Sequence, residues 1–174
     1  MRETIYQGRI VRLELEDGRW EIVRHADAVA VLARDDQGRV LGVWQRRPAI
    51  GRRTWELPAG LIDPDESPLQ AAARELAEEA SLAGELRLLT RLYASPGFCD
   101  ELVYLFEALA LRADHGATPD PSEDLELEWR DPAETWQAIA AGLVATSGVT
   151  VLGLRHVLAL RGTDVPSAAA EGTS

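Results

Sequence analysis

The sequence lacks lysine altogether, holds a single cysteine, and has no apolar run approaching the roughly 20 residues of a membrane-spanning helix. The lone thiol, Cys99, cannot form a disulfide within the chain, so a cytoplasmic location is the default expectation. Residues 1–4 lead into polar–apolar alternation and not into the apolar segment of a secretory signal. These absences exclude a disulfide-stapled fold and predict no membrane partner.

Charge of one sign dominates the chain. There are 29 acidic residues against 18 basic ones, all of them Arg, and the formal net charge is −11. Such a field repels nucleic-acid backbones and anionic membranes, so we expect neither as a partner. A divalent cation is a more natural partner, whereas a small anionic substrate would require positive charge concentrated at one place.

Hydropathy patterning predicts one domain, which suits a chain of 174 residues. Alternation through the first 47 residues predicts strands, with a hairpin turn at Asp17-Gly18 and a central strand over 28–33. The remaining predicted elements are a loop over 48–53, a helix opened by Ser67 and Pro68, strands over 86–93, 102–111 and 125–129, a loop over 112–124, and helices over 132–141 and 149–161. This order predicts an α/β fold with a mixed sheet covered on both faces.

The helix after Ser67 carries an acidic cluster. Glu75 and Glu79 are four residues apart and share a helix face, and Glu78 lies three residues from Glu75. A hard divalent cation with oxygen ligands would offset their mutual repulsion, and Glu66 in the preceding loop could close over the same cation. Arg74 could pair with one of the carboxylates. The alternative is an ordinary solvated helix face.

The residues before this helix favour the metal interpretation. The segment 55–60, Trp-Glu-Leu-Pro-Ala-Gly, is typical of a strand that delivers a tight glycine turn just ahead of the acids. The backbone carbonyl of Ala59 could then point at the cation.

The spacing from Gly60 through Glu66 to the run Arg74-Glu75-Leu76-Ala77-Glu78-Glu79 resembles the box of the Nudix family, G-x5-E-x7-R-E-U-x-E-E-x-G-U, where U is apolar. Leu76 and Leu82 stand at the two U positions. Ser81 replaces the second Gly, which serves a left-handed helix end where another residue costs roughly 1 kcal/mol. Gly84 is therefore an alternative end for the helix.

The resemblance implies a Nudix-type α/β/α sandwich with a mixed central sheet, preceded by a small N-terminal antiparallel sheet. It implies hydrolysis of a nucleoside diphosphate linked to another group, with Mg²⁺ as the cofactor and Mn²⁺ as an alternative. The implied metal ligands are Ala59, Glu66, Glu75 and Glu79. The implied catalytic residues are Glu75, Glu78, Glu79 and the loop residue Glu123, which could instead be a solvated acid if a box glutamate is the base.

Patches outside the box, among them Ser95-Pro96-Gly97-Phe98, resemble the ADP-ribose pyrophosphatase branch of the family. This likeness implies cleavage of ADP-ribose or related ADP-sugars to AMP and ribose 5-phosphate by a homodimer with exchanged N-terminal strands. The implied division is 1–25 for dimerisation and substrate contribution, 26–162 for the hydrolase domain, and 163–174 for a disordered tail. The implied substrate-binding residues are Arg9, Ile10, Arg19, Glu21, Arg47 and Glu101.

Several alternatives stay open at this point. Arg46, Arg47, Arg52 and Arg53 are the densest positive cluster, and Arg52 and Arg53 could be phosphate contacts or exposed loop charges. Another family substrate would be NADH, a dinucleoside polyphosphate, coenzyme A or a nucleoside triphosphate. A third possibility is a ligand sensor without catalytic activity. Such a protein would be expected to have lost box glutamates, whereas Glu66, Glu75, Glu78 and Glu79 are all present here. We expect Cys99 to be a small filler beside Phe98, and Trp20 could either stack on a base or join the core.

Overall fold

The computed structural model describes residues 1–114, 116 and 125–162. The N-terminal strands are β1 (Arg2–Gln7), β2 (Arg12–Glu16) and β3 (Trp20–Arg24). The other strands are β4 (Ala28–Ala33), β5 (Val40–Arg47), β6 (Arg52–Glu56), β7 (Ala59–Leu61), β8 (Leu82–Tyr93), β9 (Leu102–Ala113) and β10 (Glu126–Arg130). The helices are α1 (Pro68–Ala80), α2 (Pro132–Ala140) and α3 (Gly148–Leu160), and none of these described helices has the length and apolar character to cross a membrane. Glu123 and the predicted tail 163–174 lie outside the described residues.

The first three strands form a small antiparallel sheet of their own, in the order β1-β2-β3. Asp17 and Gly18 have φ angles of 54° and 63°, the left-handed geometry that a tight hairpin requires. The predicted N-terminal sheet and its turn are therefore confirmed. β3 joins this sheet to the rest of the molecule, because the Val23 amide donates to the Phe98 carbonyl (2.7 Å) and the Asp100 amide donates to the Val23 carbonyl (3.2 Å).

The body contains a four-stranded sheet in the order β7-β4-β9-β8 and a three-stranded sheet in the order β10-β5-β6. β4 pairs parallel with β9, while β4 with β7 and β8 with β9 pair antiparallel, so the larger sheet is mixed, as predicted. All residues of β4 are buried, which explains its unbroken apolar sequence.

Helices cover both faces of the strands. On one face, α1 packs Ala71, Ala72 and Leu76 into a cluster with Val29, Val31 and Leu41. On the other face, α3 packs Leu154 and Val157 into a cluster with Leu32, Trp55 and Leu57. The predicted α/β/α sandwich is confirmed, and its core is divided between these two clusters.

The segment from residue 48 to residue 60 differs from the prediction in two ways. The expected loop over 48–53 is a 3₁₀ turn at Pro48–Ile50, and after Gly51 the strand β6 folds back onto β5. The expected single strand over 55–60 is broken: β6 ends at Glu56, and β7 begins at Ala59 in the other sheet. Pro58, which has no amide to donate, lies at this crossing. Gly60 therefore lies in a strand and not in a turn.

The end of α1 is also decided by the structure. Ser81 has φ 53° and ψ 39°, and its amide donates to the Ala77 carbonyl at 2.9 Å, so it is the left-handed helix end. The alternative that Gly84 ends the helix is wrong. Gly84 lies in β8, where a Cβ atom would stand 2.7 Å from the Leu109 carbonyl oxygen. β9 extends to Ala113, which pairs with Leu82. Arg112 and Ala113, which were expected to begin the loop over 112–124, therefore belong to this strand.

Candidate active site

The helix α1 carries the acidic cluster, and its N-terminus is fixed by a capping box. The Ser67 hydroxyl accepts a hydrogen bond from the Gln70 amide, and the Gln70 side chain accepts one from the Ser67 amide, which is a capping box. Pro68 occupies the first turn, where its missing amide costs nothing. Because Ala71, Ala72 and Leu76 face the core, the helix turns Glu78 and Glu79 toward its margin and holds Glu75 at the buried edge.

Arg74 is the centre of this acidic cluster. Its guanidinium donates to both oxygens of Glu66, from Nε at 3.0 Å and from Nη2 at 2.9 Å. It also donates to Glu75 Oε1 (2.6 Å) and Glu78 Oε2 (3.1 Å), and to the Leu61 carbonyl (2.9 Å). The hydrogen bonds from Arg74 hold the pKa of Glu66 below its ordinary value. They likewise raise the pKa of Arg74, with Glu66 as the main cause.

The strand β7 touches the cluster from the other side. The Ala59 amide donates to Glu79 Oε2 at 3.1 Å. At the next residue, a Cβ atom on Gly60 would stand 2.0 Å from Glu75 Oε1, so the carboxylate occupies the space that a side chain would fill. The strand β7 and the helix α1 therefore contact each other at Gly60, the first glycine of the box, and at the box acids Glu75 and Glu79.

The oxygen donors of this cluster are the ligand type that a hard divalent cation prefers. Within residues 1–114, 116 and 125–162, however, no three acidic, histidine or cysteine side chains converge as a preformed metal cage. Glu66, Glu75 and Glu78 instead share one guanidinium. The donor chemistry fits a divalent metal, and the assignment of Ala59, Glu66, Glu75 and Glu79 as ligands stays a prediction.

Arg47, at the end of β5, has a partner that the sequence did not suggest. Its guanidinium donates to both oxygens of Glu56, from Nε at 3.2 Å and Nη2 at 2.8 Å. Glu56 is buried, and the hydrogen bonds that its carboxylate accepts from Arg47 raise the pKa of Arg47. The charges of Glu79 and Glu101 raise this pKa further. Only the hairpin register could have revealed Glu56, because nine residues separate it from Arg47.

The predicted cluster of four Arg residues is divided between two faces. In the β5–β6 hairpin, Arg47 pairs with Arg52 and Arg46 pairs with Arg53. Since successive residues of a strand point to opposite sides, the two pairs lie on opposite faces. Arg53 donates to Glu126 at 3.0 Å and lies over the Trp44 ring. The four Arg residues that are close in sequence therefore do not share one surface.

The segment between β8 and β9, which includes Glu101, contacts the end of the N-terminal sheet. Glu101 lies 3.7 Å from His25 Nδ1. Next to it, Asp100 accepts from Arg24 Nη1 and from the His25 amide, each at 3.0 Å. Arg24 in turn donates to the buried Glu14 at 2.8 Å. This ion-pair chain, Glu14–Arg24–Asp100, was not predicted from the sequence.

The other predicted substrate residues lie exposed in the N-terminal sheet or its connections. These residues are Arg9, Ile10, Arg19 and Glu21. Arg19 lies 4.6 Å over the Trp20 ring, and Trp20 itself is exposed, so the alternative that it joins the core is wrong. Cys99 is partly buried and lines a cavity of about 340 Å³ with Ile22, Tyr93, Pro96, Gly97, Phe98 and Asp100. The candidate base Glu123 is outside the described residues.

Comparison with known proteins decides the family. The model of the NUDIX domain matches residues 24–146. The chain belongs to the Nudix family. This confirms the family inferred from the box spacing, although Ser81 departs from the pattern. Nudix hydrolases generally use a divalent metal ion, which agrees with the oxygen donors around Arg74.

Curated relatives of this Nudix chain include an ADP-ribose pyrophosphatase of Mycobacterium tuberculosis, 37% identical over 169 residues that cover 91% of this chain and 81% of that protein. An ADP-ribose pyrophosphatase of Bacillus subtilis is 40% identical over 116 residues, which cover 62% of this chain and 63% of that protein. A solved structure described as an ADP compounds hydrolase superposes with a TM-score of 0.70 at 20% identity, covering 94% and 95% of the two chains. The last likeness supports the Nudix fold alone.

Proposed function

We propose that this Nudix protein hydrolyses the pyrophosphate bond of ADP-ribose, giving AMP and ribose 5-phosphate, or that of a related ADP-sugar, giving AMP and the corresponding sugar phosphate. The main support is the arrangement of Glu66, Glu75 and Glu78 around Arg74. Arg47 lies on the face of β5 that packs Leu41 against α1. Two relatives that bear the name ADP-ribose pyrophosphatase, at 37% and 40% identity, support this choice of substrate.

The proposed cofactor is Mg²⁺, held by the carboxylates of Glu66, Glu75 and Glu79 and by the Ala59 carbonyl. When bound, such an ion supplies charge neutralisation for the bridging phosphates and a water of lowered pKa. The protein's own contribution is positioning. Arg74 restrains Glu66, Glu75 and Glu78, the Ala59 amide restrains Glu79, and Gly60 leaves room for the Glu75 carboxylate.

Substrate binding is proposed to fall to residues outside α1. Arg47 would bind phosphate, and Glu101 would lie near the terminal ribose. Arg9, Ile10, Arg19 and Glu21 would hold the adenosine part. For the general base we propose Glu78 or Glu79 of the box, or Glu123 of the loop.

We also propose a homodimer in which region 1–25 supplies the interface and part of each substrate site, with 26–162 as the hydrolase domain and a cytoplasmic location. Support comes from four apolar side chains of the N-terminal region that are each more than half exposed, namely Ile5, Tyr6, Ile10 and Trp20. Sedimentation equilibrium should give twice the mass of 19.0 kDa, and Tyr6→Glu should shift it toward the monomer. A monomeric wild-type chain would exclude this part of the proposal.

The substrate is tested with a panel of ADP-ribose, NADH, a dinucleoside polyphosphate, coenzyme A and a nucleoside triphosphate, each with Mg²⁺. ADP-ribose should give the highest kcat/KM, with AMP as a product. Glu79→Gln should reduce kcat by two or more orders of magnitude, roughly the loss expected for a group that stabilises the transition state. If ADP-ribose were cleaved no faster than the others, the substrate would have to be reassigned. If Glu79→Gln kept full activity, the metal assignment would fail.

A further inference from the structure

The hairpin β5–β6 separates two Arg residues that are adjacent in sequence. Arg52 is the direct cross-strand partner of Arg47, and Arg53 is that of Arg46. Direct partners in an antiparallel pair project from the same face with Cβ atoms roughly 5 Å apart. The turn that sets this register is short: the Gly51 amide donates to the Arg47 carbonyl at 3.0 Å, and Gly51 has φ 68°.

The Arg47 face is the one that belongs to the candidate site. Along this face the cross-strand pairs are Val43 with Glu56, Gln45 with Thr54, and Arg47 with Arg52. Leu41, two residues before Val43 on this same face of β5, packs in the cluster that includes Leu76 of α1. The opposite face carries Trp55, which packs in the cluster that includes Leu154 of α3. Arg52 therefore stands on the α1 side of the sheet, and Arg53 stands on the α3 side.

The charge on the two faces is balanced differently. Arg47 already donates two hydrogen bonds to the buried Glu56, so this pair is close to neutral. Arg53 is matched by Glu126. Arg52 is exposed, and among the residues that the structure describes its guanidinium has no ion pair or hydrogen bond.

We propose that Arg52 is a substrate-binding residue that donates to the diphosphate next to Arg47, and that Arg53 has no such role. The inference rests on the proposed function, since it takes a nucleoside diphosphate group as the ligand. A guanidinium suits this ligand because its donors match phosphate oxygens in pairs. Because Glu56 balances the charge of Arg47, Arg52 adds a net positive charge beside this pair. It would favour ligands that carry two linked phosphates over ligands that carry one.

The test compares Arg52→Gln, Arg52→Lys and the matched control Arg53→Gln with the wild-type chain, all with Mg²⁺. Arg52→Gln should raise the KM for ADP-ribose about tenfold, the size of one charge-assisted hydrogen bond, with kcat changed less than about threefold. Arg52→Lys should recover part of the loss because it keeps the charge. Arg53→Gln should leave both constants within about twofold, and thermal unfolding should show all variants folded.

Calorimetric binding of ADP and of AMP separates this inference from the proposed substrate. Arg52→Gln should weaken ADP binding about tenfold and AMP binding less, while Arg53→Gln changes neither. If the wild-type chain did not cleave ADP-ribose but Arg52→Gln still weakened ADP binding, the proposed substrate would fail and the role of Arg52 would stand. Equal effects of the two Gln variants, or no effect of Arg52→Gln on ADP binding or KM, would overturn the role of Arg52.

Discussion

The Glu75 carboxylate lies against the backbone of Gly60, so close that a Cβ atom on Gly60 would stand 2.0 Å from Glu75 Oε1 and 2.2 Å from Cδ. Of the two partners, the Glu75 carboxylate is the one that a side chain at position 60 would displace. Gly60 is paired with Val29 in the sheet, and Glu75 is buried and bonded to Arg74. The glycine of the box thus has a steric role here, because it admits the carboxylate of a residue 15 positions later.

Gly60→Ala should therefore displace Glu75 and lower kcat by about two orders of magnitude, since small misplacements in a site carry such costs. Steady-state kinetics with ADP-ribose at saturating Mg²⁺ measure the effect. Gly148→Ala is the matched control, because a Cβ atom there would meet nothing within 4 Å. Near-normal kcat in Gly60→Ala would show that the contact does not position Glu75.

Replacing Arg74 should make stability depend on the metal. Arg74→Gln removes the positive charge shared by Glu66, Glu75 and Glu78, and it should lower the free energy of unfolding by about 1–3 kcal/mol in metal-free buffer. Mg²⁺ should raise the Tm of this variant more than that of the wild-type chain, because the ion replaces the missing charge.

Arg53→Gln serves as the control for that experiment. It removes an exposed ion pair with Glu126, and such pairs contribute about 0–1 kcal/mol. Its Tm should respond to Mg²⁺ as the wild-type Tm does. An equal Mg²⁺ response in Arg74→Gln would mean that Arg74 and the metal do not serve the same carboxylates.

Ser81→Gly should stabilise the protein. Ser81 holds φ 53° at the end of α1, and glycine adopts this left-handed conformation without the cost of about 1 kcal/mol that other residues carry. Urea unfolding should give an increase of about that size. Ala73→Gly, in the exposed middle of the same helix, should instead lower stability by about 1 kcal/mol. The two variants should change the free energy of unfolding in opposite directions. A loss of stability in Ser81→Gly would contradict the assignment of Ser81 as the left-handed helix end.

The ion pair Arg24–Glu14 should make the N-terminal sheet sensitive to acid. The hydrogen bond from Arg24 lowers the pKa of Glu14 from its ordinary value of 4.5. A lowered folded-state pKa contributes stability that is fully present above that ordinary value and is lost as pH falls through the lowered one. Burial raises the pKa of Asp100, but hydrogen bonds from the His25 amide and Arg24 outweigh it, so Asp100 acts in the same direction.

Thermal unfolding of the wild-type chain and of Arg24→Gln between pH 7 and about pH 3 measures this contribution. The Tm of Arg24→Gln should be lower at neutral pH, and the difference should shrink as pH falls below the ordinary pKa of Glu14. Arg2→Gln, which removes an exposed pair with Glu16, should show a small difference at every pH. A pH-independent difference for Arg24→Gln would indicate that packing, and not the ion pair, is the cause.

Some site features could be predicted because they depend on local spacing. The helical period places Glu75 and Glu79 on one face, the Ser67 cap and Pro68 mark the start of α1, and the unbroken apolar run 28–33 marks a central strand. Other features were not predicted from the sequence, and they share one reason. The split of the four Arg residues, the change of sheet at Pro58 and the exposure of Trp20 all depend on which strands pair and which faces are covered.

The sequence by itself determined the Nudix family and the acidic helix, because a motif of fixed spacing needs only the periods of a strand and a helix. Only the tertiary structure decided that Glu56 neutralises Arg47, that Arg52 and not Arg53 faces the site, and that Gly60 makes room for Glu75. These contacts join residues from different elements, and the register of a hairpin or the approach of a helix to a strand is fixed by packing of the whole domain. The spacing of residues along the chain does not specify which residues of different elements come into contact.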